Sequence, residues 1–227
     1  MSEDGGESDR SWETTLLGVW SEAQRRSMVG PGDPRVHLEL ARRLTRLLDP
    51  PDDALDLGSG AGIPGLALAG LWPASRWTLV DAAQRRTVML ERAVERLGWG
   101  DRVHVVHARA EDLGRVPGHR ERYDLVTARS FGPPAVTAEC GGAFVRVGGL
   151  LVVTEPPADD RSRWPVEPLA VLGLATAPAV RPAGCEATEP GGGTGDADMR
   201  VEVLRRIRPL DERFPRRAGV PSKRPLY

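Results

Sequence analysis

A chain of 227 residues is long enough to bury a core and fits one domain with an appendage. Its 40% hydrophobic and 28% charged residues are close to globular averages, which argues against a mainly disordered chain. The net charge of -1 hides a basic stretch at residues 205–224, where eight basic side chains stand against two acidic ones, as expected of a footprint for a polyanion or of a solvated surface.

Other compositional features exclude several classes of protein. The sequence has no apolar run of about 18 residues, and its acidic start differs from a signal peptide, so we expect a cytoplasmic protein with no membrane segment. Cys140 and Cys185 lie far apart and form no CxxC motif. They predict neither a disulfide framework nor a metal site.

The first predicted elements are helices. Residues 1–10 have the composition of a disordered acidic tail, and an N-terminal helical segment is predicted at 11–48. Asp33 and Pro34 suit the N-cap and first position of its second helix. Apolar residues recur at roughly helical spacing in both helices: Trp12, Leu16, Leu17 and Trp20 in the first, and Val36, Leu40, Leu44, Leu47 and Leu48 in the second.

From residue 53 to 210 the pattern predicts one α/β domain. Short β-type runs, ALDL, WTLVD, VHVVH, YDLVTA and GGLLVVT, alternate with helical stretches, which favours a parallel sheet covered by helices. The helix after WTLVD has Gly98 as its predicted C-cap. A weak strand near 169–175 and a stronger one at 200–207 predict an antiparallel edge hairpin, separated by a long mobile loop at 176–198.

The stretch LDLGSGAGIPG, residues 55–65, allows two interpretations. Read from Gly60, it spells GxGxxG with Asp81 about 20 residues further on, as in dinucleotide sites. Read from Gly58, it is GxGxG preceded by Asp56, which is typical of S-adenosylmethionine sites.

Three observations favour the methyl-donor interpretation. Gly58 and Ser59 intervene between the strand and Gly60, so the turn begins too early for a dinucleotide corner. Asp56 would repel a pyrophosphate but favours a cationic sulfonium. Pro64 has no N–H to lose at the start of the following helix.

Two further positions complete the predicted cofactor site. Asp81 ends the second strand, where its carboxylate could accept both ribose hydroxyls or could cap the next helix. Ala110 and Glu111 follow the third strand and could hold the adenine edge through backbone groups.

The chain resembles the glucose-inhibited division protein B family, the bacterial 16S ribosomal RNA guanine-N7 methyltransferases. The motifs that carry the resemblance run in family order: DLGSGAGIPG at 56–65, LVDAAQRRTVML at 79–90, RAED at 109–112, TARS at 127–130 and FPRRAGVPSKRPL at 214–226. Three features depart from the family pattern: Glu155 and Pro156 stand where a Lys-Gly pair is usual, the N-terminal Asn-Leu-Thr segment is missing, and the loop at 176–198 is enlarged. His37 matches a family histidine loosely, and we interpret it as a packing or helix-surface residue.

The resemblance implies a Rossmann-like class I S-adenosylmethionine-dependent methyltransferase fold, with a seven-stranded, mostly parallel sheet. It also implies S-adenosylmethionine as the cofactor and ribosomal RNA or the small ribosomal subunit as the partner. We expect the protein to be monomeric. Arg129 is the candidate catalytic residue and a cofactor contact. The complete predicted cofactor set is Asp56, Gly58, Ser59, Gly60, Gly62, Ile63, Asp81, Ala110, Glu111 and Arg129.

The predicted reaction is methyl transfer to guanine N7, which has a lone pair and no proton and therefore needs no general base. A basic C-terminal tail at 211–227 and the residues just before it are predicted to contact RNA phosphates. The predicted RNA-binding residues are Arg205, Arg206, Arg208, Arg213, Arg216, Arg217, Lys223 and Arg224. Phe131 and Arg129 are candidates for stacking on a base.

Other functions stay open at this point. They are a methyltransferase of the same fold acting on another RNA or a small molecule, a non-catalytic RNA-binding module that retains the cofactor fold, and an NAD oxidoreductase.

Overall fold

The computed structural model describes residues 11–155, 163–178 and 200–227. The elements follow in chain order: α1 Ser11–Arg25, α2 Arg35–Thr45, β1 Asp53–Leu57, α3 Gly65–Leu71, β2 Arg76–Asp81, α4 Gln84–Leu97, β3 Val103–His107, α5 Ala110–Leu113, β4 Tyr123–Arg129, α6 Pro134–Gly142, β5 Val145–Glu155, α7 Val166–Val171, β6 Leu174–Thr176, β7 Arg200–Arg206 and α8 Val220–Lys223.

The strands of the described residues form one seven-stranded sheet in the order β3-β2-β1-β4-β5-β7-β6. The first five strands are parallel, and β7 runs antiparallel to both β5 and β6. The predicted parallel sheet with an antiparallel edge pair is therefore confirmed. In this order β2 and β3 lie on one side of β1, and β4 and β5 lie on the other. Ligands of such sheets bind at the carboxyl ends of the strands, beside the point between β1 and β4 where the strand order reverses.

The sheet is covered on both faces by apolar clusters. Helices α1 to α4 pack on one face, where Leu16, Trp20 and Trp77 are almost fully buried. On the other face α5, α6 and α7 pack with the C-terminal segment, which contributes the buried Phe214. Residues 211–227 are thus part of this packed face, although the sequence predicted a tail there.

Several boundaries differ from the sequence prediction. Helix α2 begins at Arg35, one residue after Pro34, and the carboxylate of Asp33 accepts the backbone N–H of Arg35 at 2.9 Å. The weak strand predicted near 169–175 is wrong in its first half, because α7 extends to Val171 and the strand occupies only Leu174–Thr176.

Gly98 ends α4 with a left-handed φ of 68°, as predicted. The predicted acidic tail at 1–10 lies outside the described residues, as do most of the 176–198 loop, Pro156 and Cys185.

Candidate active site

The carboxyl ends of β1 to β4 bring most of the predicted cofactor residues to one edge of the sheet. The glycine loop follows β1, Asp81 ends β2, Ala110 begins the short helix after β3, and Arg129 ends β4. Parallel register explains this grouping, since Leu57 pairs with Val80 on one side and with Ala128 on the other.

The loop after β1 depends on glycine at three positions. Gly58, Gly60 and Gly62 have φ values of 66°, 57° and 80°, in the left-handed region that side chains disfavour. Ser59 braces the turn: its backbone N–H donates to Val80 O at 2.9 Å and its hydroxyl donates to Asp56 O at 2.8 Å. Ile63 packs into the core on the helix side. The predicted residues Ser59 and Ile63 therefore shape the loop from within.

Asp56 lies beneath the loop and does not face solvent. Its side chain is 1% exposed, and its carboxylate accepts the Thr127 hydroxyl at 2.7 Å and the Gly65 N–H at 3.3 Å. Burial raises the pKa of Asp56 to about 6, against these hydrogen bonds, which lower it. The sequence predicted that Asp56 contacts the ligand directly. In the structure its carboxylate instead forms two internal hydrogen bonds, which tie β4 and α3 to Asp56 of β1.

Asp81 links the loop to the following helix. One carboxylate oxygen accepts the Gly60 N–H at 2.9 Å, and the other accepts the Ala83 N–H at 2.9 Å. Arg86 forms an ion pair with it at 3.4 Å. Helix α4 has Ala83 as its N-cap residue and no side-chain cap hydrogen bond, so the capping alternative for Asp81 is wrong. Each carboxylate oxygen can accept about two hydrogen bonds. Oδ2 already accepts Gly60 and Arg86, so the remaining acceptor capacity is on Oδ1.

Glu111 uses its side chain inside the protein. The buried carboxylate accepts Arg109 at 2.9 Å and the backbone N–H of Gly219 at 2.8 Å. Its pKa lies below the ordinary value: desolvation by burial raises it, but these hydrogen bonds lower it by more in sum. Ala110 and Glu111 thus stand at the carboxyl edge while the Glu111 side chain fastens the C-terminal segment.

Phe131 lies on the glycine loop. Ser130 has a left-handed φ of 51°, which turns the chain sharply after β4. A Cβ atom built on Gly58 would stand 2.7 Å from Cδ2 of Phe131, so the ring rests on the Gly58 backbone. Residues after β1 and β4 therefore meet across the point where the sheet order reverses.

Arg129 contacts a residue that the sequence interpretation did not connect to the site. Its guanidinium Nη1 lies 3.0 Å from Nδ1 of His37 in α2. His37 is 7% exposed and packs edge-on against Trp20 of α1, with ring centroids 5.4 Å apart. Trp20 in turn donates its indole N–H to Ala61 O of the glycine loop at 3.0 Å. The sequence predicted a packing or helix-surface role for His37; the structure shows packing, and the bond to Arg129 was missed.

The predicted RNA-binding residues fall into three groups. Arg206 is wrong as a phosphate contact, because its side chain is fully buried and donates to Leu172 O at 3.0 Å and to Gly142 O. Arg216 binds the buried Glu139 through Nε at 2.9 Å and Nη2 at 2.6 Å. These two arginines hold the fold together.

Three more of the predicted residues make contacts within the protein: Arg205, Arg208 and Arg213. Arg205 donates to Gly148 O near the start of β5, at the edge of the sheet opposite the site. Arg208 donates to Ala170 O, and Arg213 pairs with its neighbour Asp211 at 3.5 Å.

The remaining three cations, Arg217, Lys223 and Arg224, are exposed and form no ion pair with any residue in the described ranges. Glu155, the acidic departure from the family pattern, forms an ion pair with Arg163.

No group of His, Cys, Asp and Glu in the described part of the chain is arranged to hold a metal ion. The helices that the structure describes are all too short or too polar to cross a bilayer.

Several solved structures have a similar backbone, among them methyltransferases and a [4+2]-cyclase. An O-methyltransferase from Bacillus cereus, solved in complex with SAH, matches with a TM-score of 0.57 and 14% identity over 84% of this chain and 89% of that chain. A Corynebacterium glutamicum protein matches with a TM-score of 0.52 and 17% identity over 92% of this chain and 94% of that chain. These matches support the class I methyltransferase fold.

Sequence relatives define the family. Ribosomal RNA small subunit methyltransferase G of Symbiobacterium thermophilum is 36% identical over 79% of this chain and 72% of its own length. The protein of the same name from Pelotomaculum thermopropionicum is 36% identical over 76% of this chain and 69% of its own. The family model described as rRNA small subunit methyltransferase G, GidB, matches residues 37–157. The chain belongs to the rRNA small subunit methyltransferase G family.

Proposed function

We propose that this protein transfers a methyl group from S-adenosylmethionine to N7 of a guanosine in 16S ribosomal RNA. The observation that carries the proposal is the corner beside the β1–β4 reversal, where a left-handed glycine loop, the Asp81 carboxylate and Arg129 stand together in a member of this family. Ribosomal RNA is the substrate, which places the reaction in the cytoplasm.

The residues of this corner suit S-adenosylmethionine better than a dinucleotide. Two carboxylates, Asp56 below the loop and Asp81 beside it, contribute negative charge next to the glycine loop, which favours a cationic sulfonium and disfavours a pyrophosphate. In this proposal Asp81 accepts a ribose hydroxyl on Oδ1, and backbone groups of Ala110 and Glu111 receive the adenine edge. Gly58, which has no side chain, lets the Phe131 ring lie directly against the loop backbone beside this corner.

Methyl transfer to guanine N7 requires the protein mainly to align the methyl donor with the acceptor nitrogen. When bound, S-adenosylmethionine supplies an electrophilic methyl group on its sulfonium. The N7 lone pair carries no proton, so no side chain has to act as a base. Arg129 is held at the carboxyl end of β4 and supplies a fixed positive charge beside the acceptor position. Phe131, resting on Gly58, offers a ring on which a base could stack.

RNA contacts are assigned to Arg217, Lys223 and Arg224. These residues belong to the C-terminal segment that Glu111, at the start of α5, holds through Gly219. Their exposed charges are available to phosphates, whereas Arg206 and Arg216 are engaged in the fold. Phosphate contacts position the RNA, and base selection falls to the residues around Arg129.

Two measurements test the proposal. Calorimetry should show binding of S-adenosylhomocysteine and no binding of NAD. Tritium from labelled S-adenosylmethionine should transfer to 30S subunits or 16S RNA and not to total metabolites. Transfer to metabolites alone would favour a small-molecule methyltransferase, and RNA binding without transfer would favour a non-catalytic module.

The salt dependence of RNA binding tests the three cations. Removal of Arg217, Lys223 or Arg224 should each lower the slope of log K against log salt by about 0.7 to 0.9. Arg205→Ala is the matched control, because Arg205 lies at the opposite edge, and its slope should equal that of the unchanged protein. Equal slopes in all four variants would reject the assigned surface.

A further inference from the structure

We infer that His37 is a positioning residue that holds Arg129 in its working orientation. The inference rests on the proposed function, since it concerns how this site binds the methyl donor. His37 lies in the first turn of α2, outside the α/β domain that forms the corner, and is 92 residues from Arg129 in sequence.

The contact has a defined chemistry. A guanidinium is always protonated and can only donate hydrogen bonds. Nδ1 of His37, 3.0 Å from Nη1 of Arg129, is therefore the acceptor, and the histidine is neutral with its proton on Nε2. The bond thus requires an unprotonated ring nitrogen at this position.

The surroundings fix the ring as well as the bond. His37 is 7% exposed and stands at 88° to the Trp20 ring, and Trp20 is fully buried. Trp20 is itself tied to Ala61 O in the glycine loop. Trp20 therefore contacts both His37, which accepts the hydrogen bond from Arg129, and the glycine loop. These shared contacts fix the position of Arg129 relative to the loop.

Such a bond matters because an arginine side chain is long and has many rotamers. Holding the guanidinium before the ligand arrives removes part of the ordering cost of binding. Loss of a hydrogen bond to a charged group corresponds to about tenfold or more in an equilibrium constant. We expect that loss to appear in the affinity for the donor and in KM more than in the folding of the domain.

Two substitutions separate the acceptor from the ring. His37→Phe keeps an aromatic ring against Trp20 but removes the acceptor. His37→Asn removes the ring but places a carbonyl oxygen close to where Nδ1 stands. His37→Phe should unfold at a higher temperature than His37→Asn. In calorimetry, His37→Asn should bind S-adenosylhomocysteine more tightly than His37→Phe.

The expected result is a Kd raised about tenfold in His37→Phe and largely restored in His37→Asn. In an Arg129→Ala background, His37→Phe should change the Kd no further, because its effect acts through Arg129. If His37→Phe yields no folded protein, His37→Ala removes the same acceptor and takes its place.

Three outcomes would overturn the inference: an unchanged Kd in His37→Phe, equal losses in His37→Phe and His37→Asn, or a full effect of His37→Phe without Arg129. The unchanged protein separates this inference from the proposed function. If it binds no S-adenosylhomocysteine, the proposed function fails first; if it binds and the variants do not differ, only the role of His37 fails.

Discussion

Asp56 should make the protein less stable as the pH rises, in a way that Asp56→Asn removes. Its carboxyl is fully buried under the glycine loop, and burial raises its pKa from 3.8 to about 6. The folded protein therefore keeps this proton to a higher pH than the unfolded chain does. Stability from the protonated group is complete below 3.8 and is lost as the pH rises through about 6.

The size of the effect follows from the two pKa values. A difference of about two units corresponds to about 3 kcal/mol in the free energy of unfolding over the whole titration. Between about pH 4.5 and about pH 7.5 the loss is about 2 kcal/mol, because part of the unfolded-state titration lies below that range. The asparagine variant has no proton to lose, so only the parent protein should show this component.

Urea unfolding of both proteins at a series of pH values measures the difference directly. The free energy of unfolding of the parent minus that of Asp56→Asn should fall by about 2 kcal/mol across the interval. Asp101→Asn, at an exposed position, controls for loss of a charge and should show no comparable trend. A difference that stays flat with pH would refute the conclusion that burial opposes ionisation of Asp56.

Other substitutions test the corner and the C-terminal segment. Gly58→Ala and Gly98→Ala should each cost about 1 kcal/mol from their left-handed φ, but only Gly58→Ala displaces the ring above it and should weaken S-adenosylhomocysteine binding by about tenfold in calorimetry. Arg216→Ala leaves a buried carboxylate without its cation and should cost about 3 kcal/mol or more in chemical unfolding. Arg217→Ala, the exposed neighbour, should change stability by less than about 0.5 kcal/mol while weakening RNA binding. Trp20→Phe removes the donor to the loop carbonyl and should cost about 1 to 3 kcal/mol, with a higher Kd for S-adenosylhomocysteine.

The sheet could be predicted from the sequence because its strands are local patterns. WTLVD and VHVVH are short apolar runs with strong strand formers, and each is bounded by turn residues. The glycine corner was equally accessible, since positive φ at Gly58, Gly60 and Gly62 is a property that only glycine meets easily. These features depend on near neighbours in the chain.

Contacts between residues that are far apart in the sequence could not be predicted in this way. Nothing in the spacing of His37 and Arg129 reveals that α2 packs against the end of β4. Arg206 belongs to a run of charges that suggests a solvated surface, yet the β7 register turns its side chain into the core against Leu172 and Gly142. Asp56 was assigned to the ligand because its position next to the loop was visible, whereas its burial under Thr127 was not.

The central claim is that this protein methylates N7 of a guanosine in 16S ribosomal RNA. Nucleoside mass spectrometry of 16S RNA from a strain lacking the gene, with and without the gene restored, tests it most directly. We predict that 7-methylguanosine is reduced in the deletion strain and returns with the unchanged protein but not with Arg129→Ala. An equal amount of 7-methylguanosine in the parent strain, the deletion strain and the two complemented strains would contradict the account.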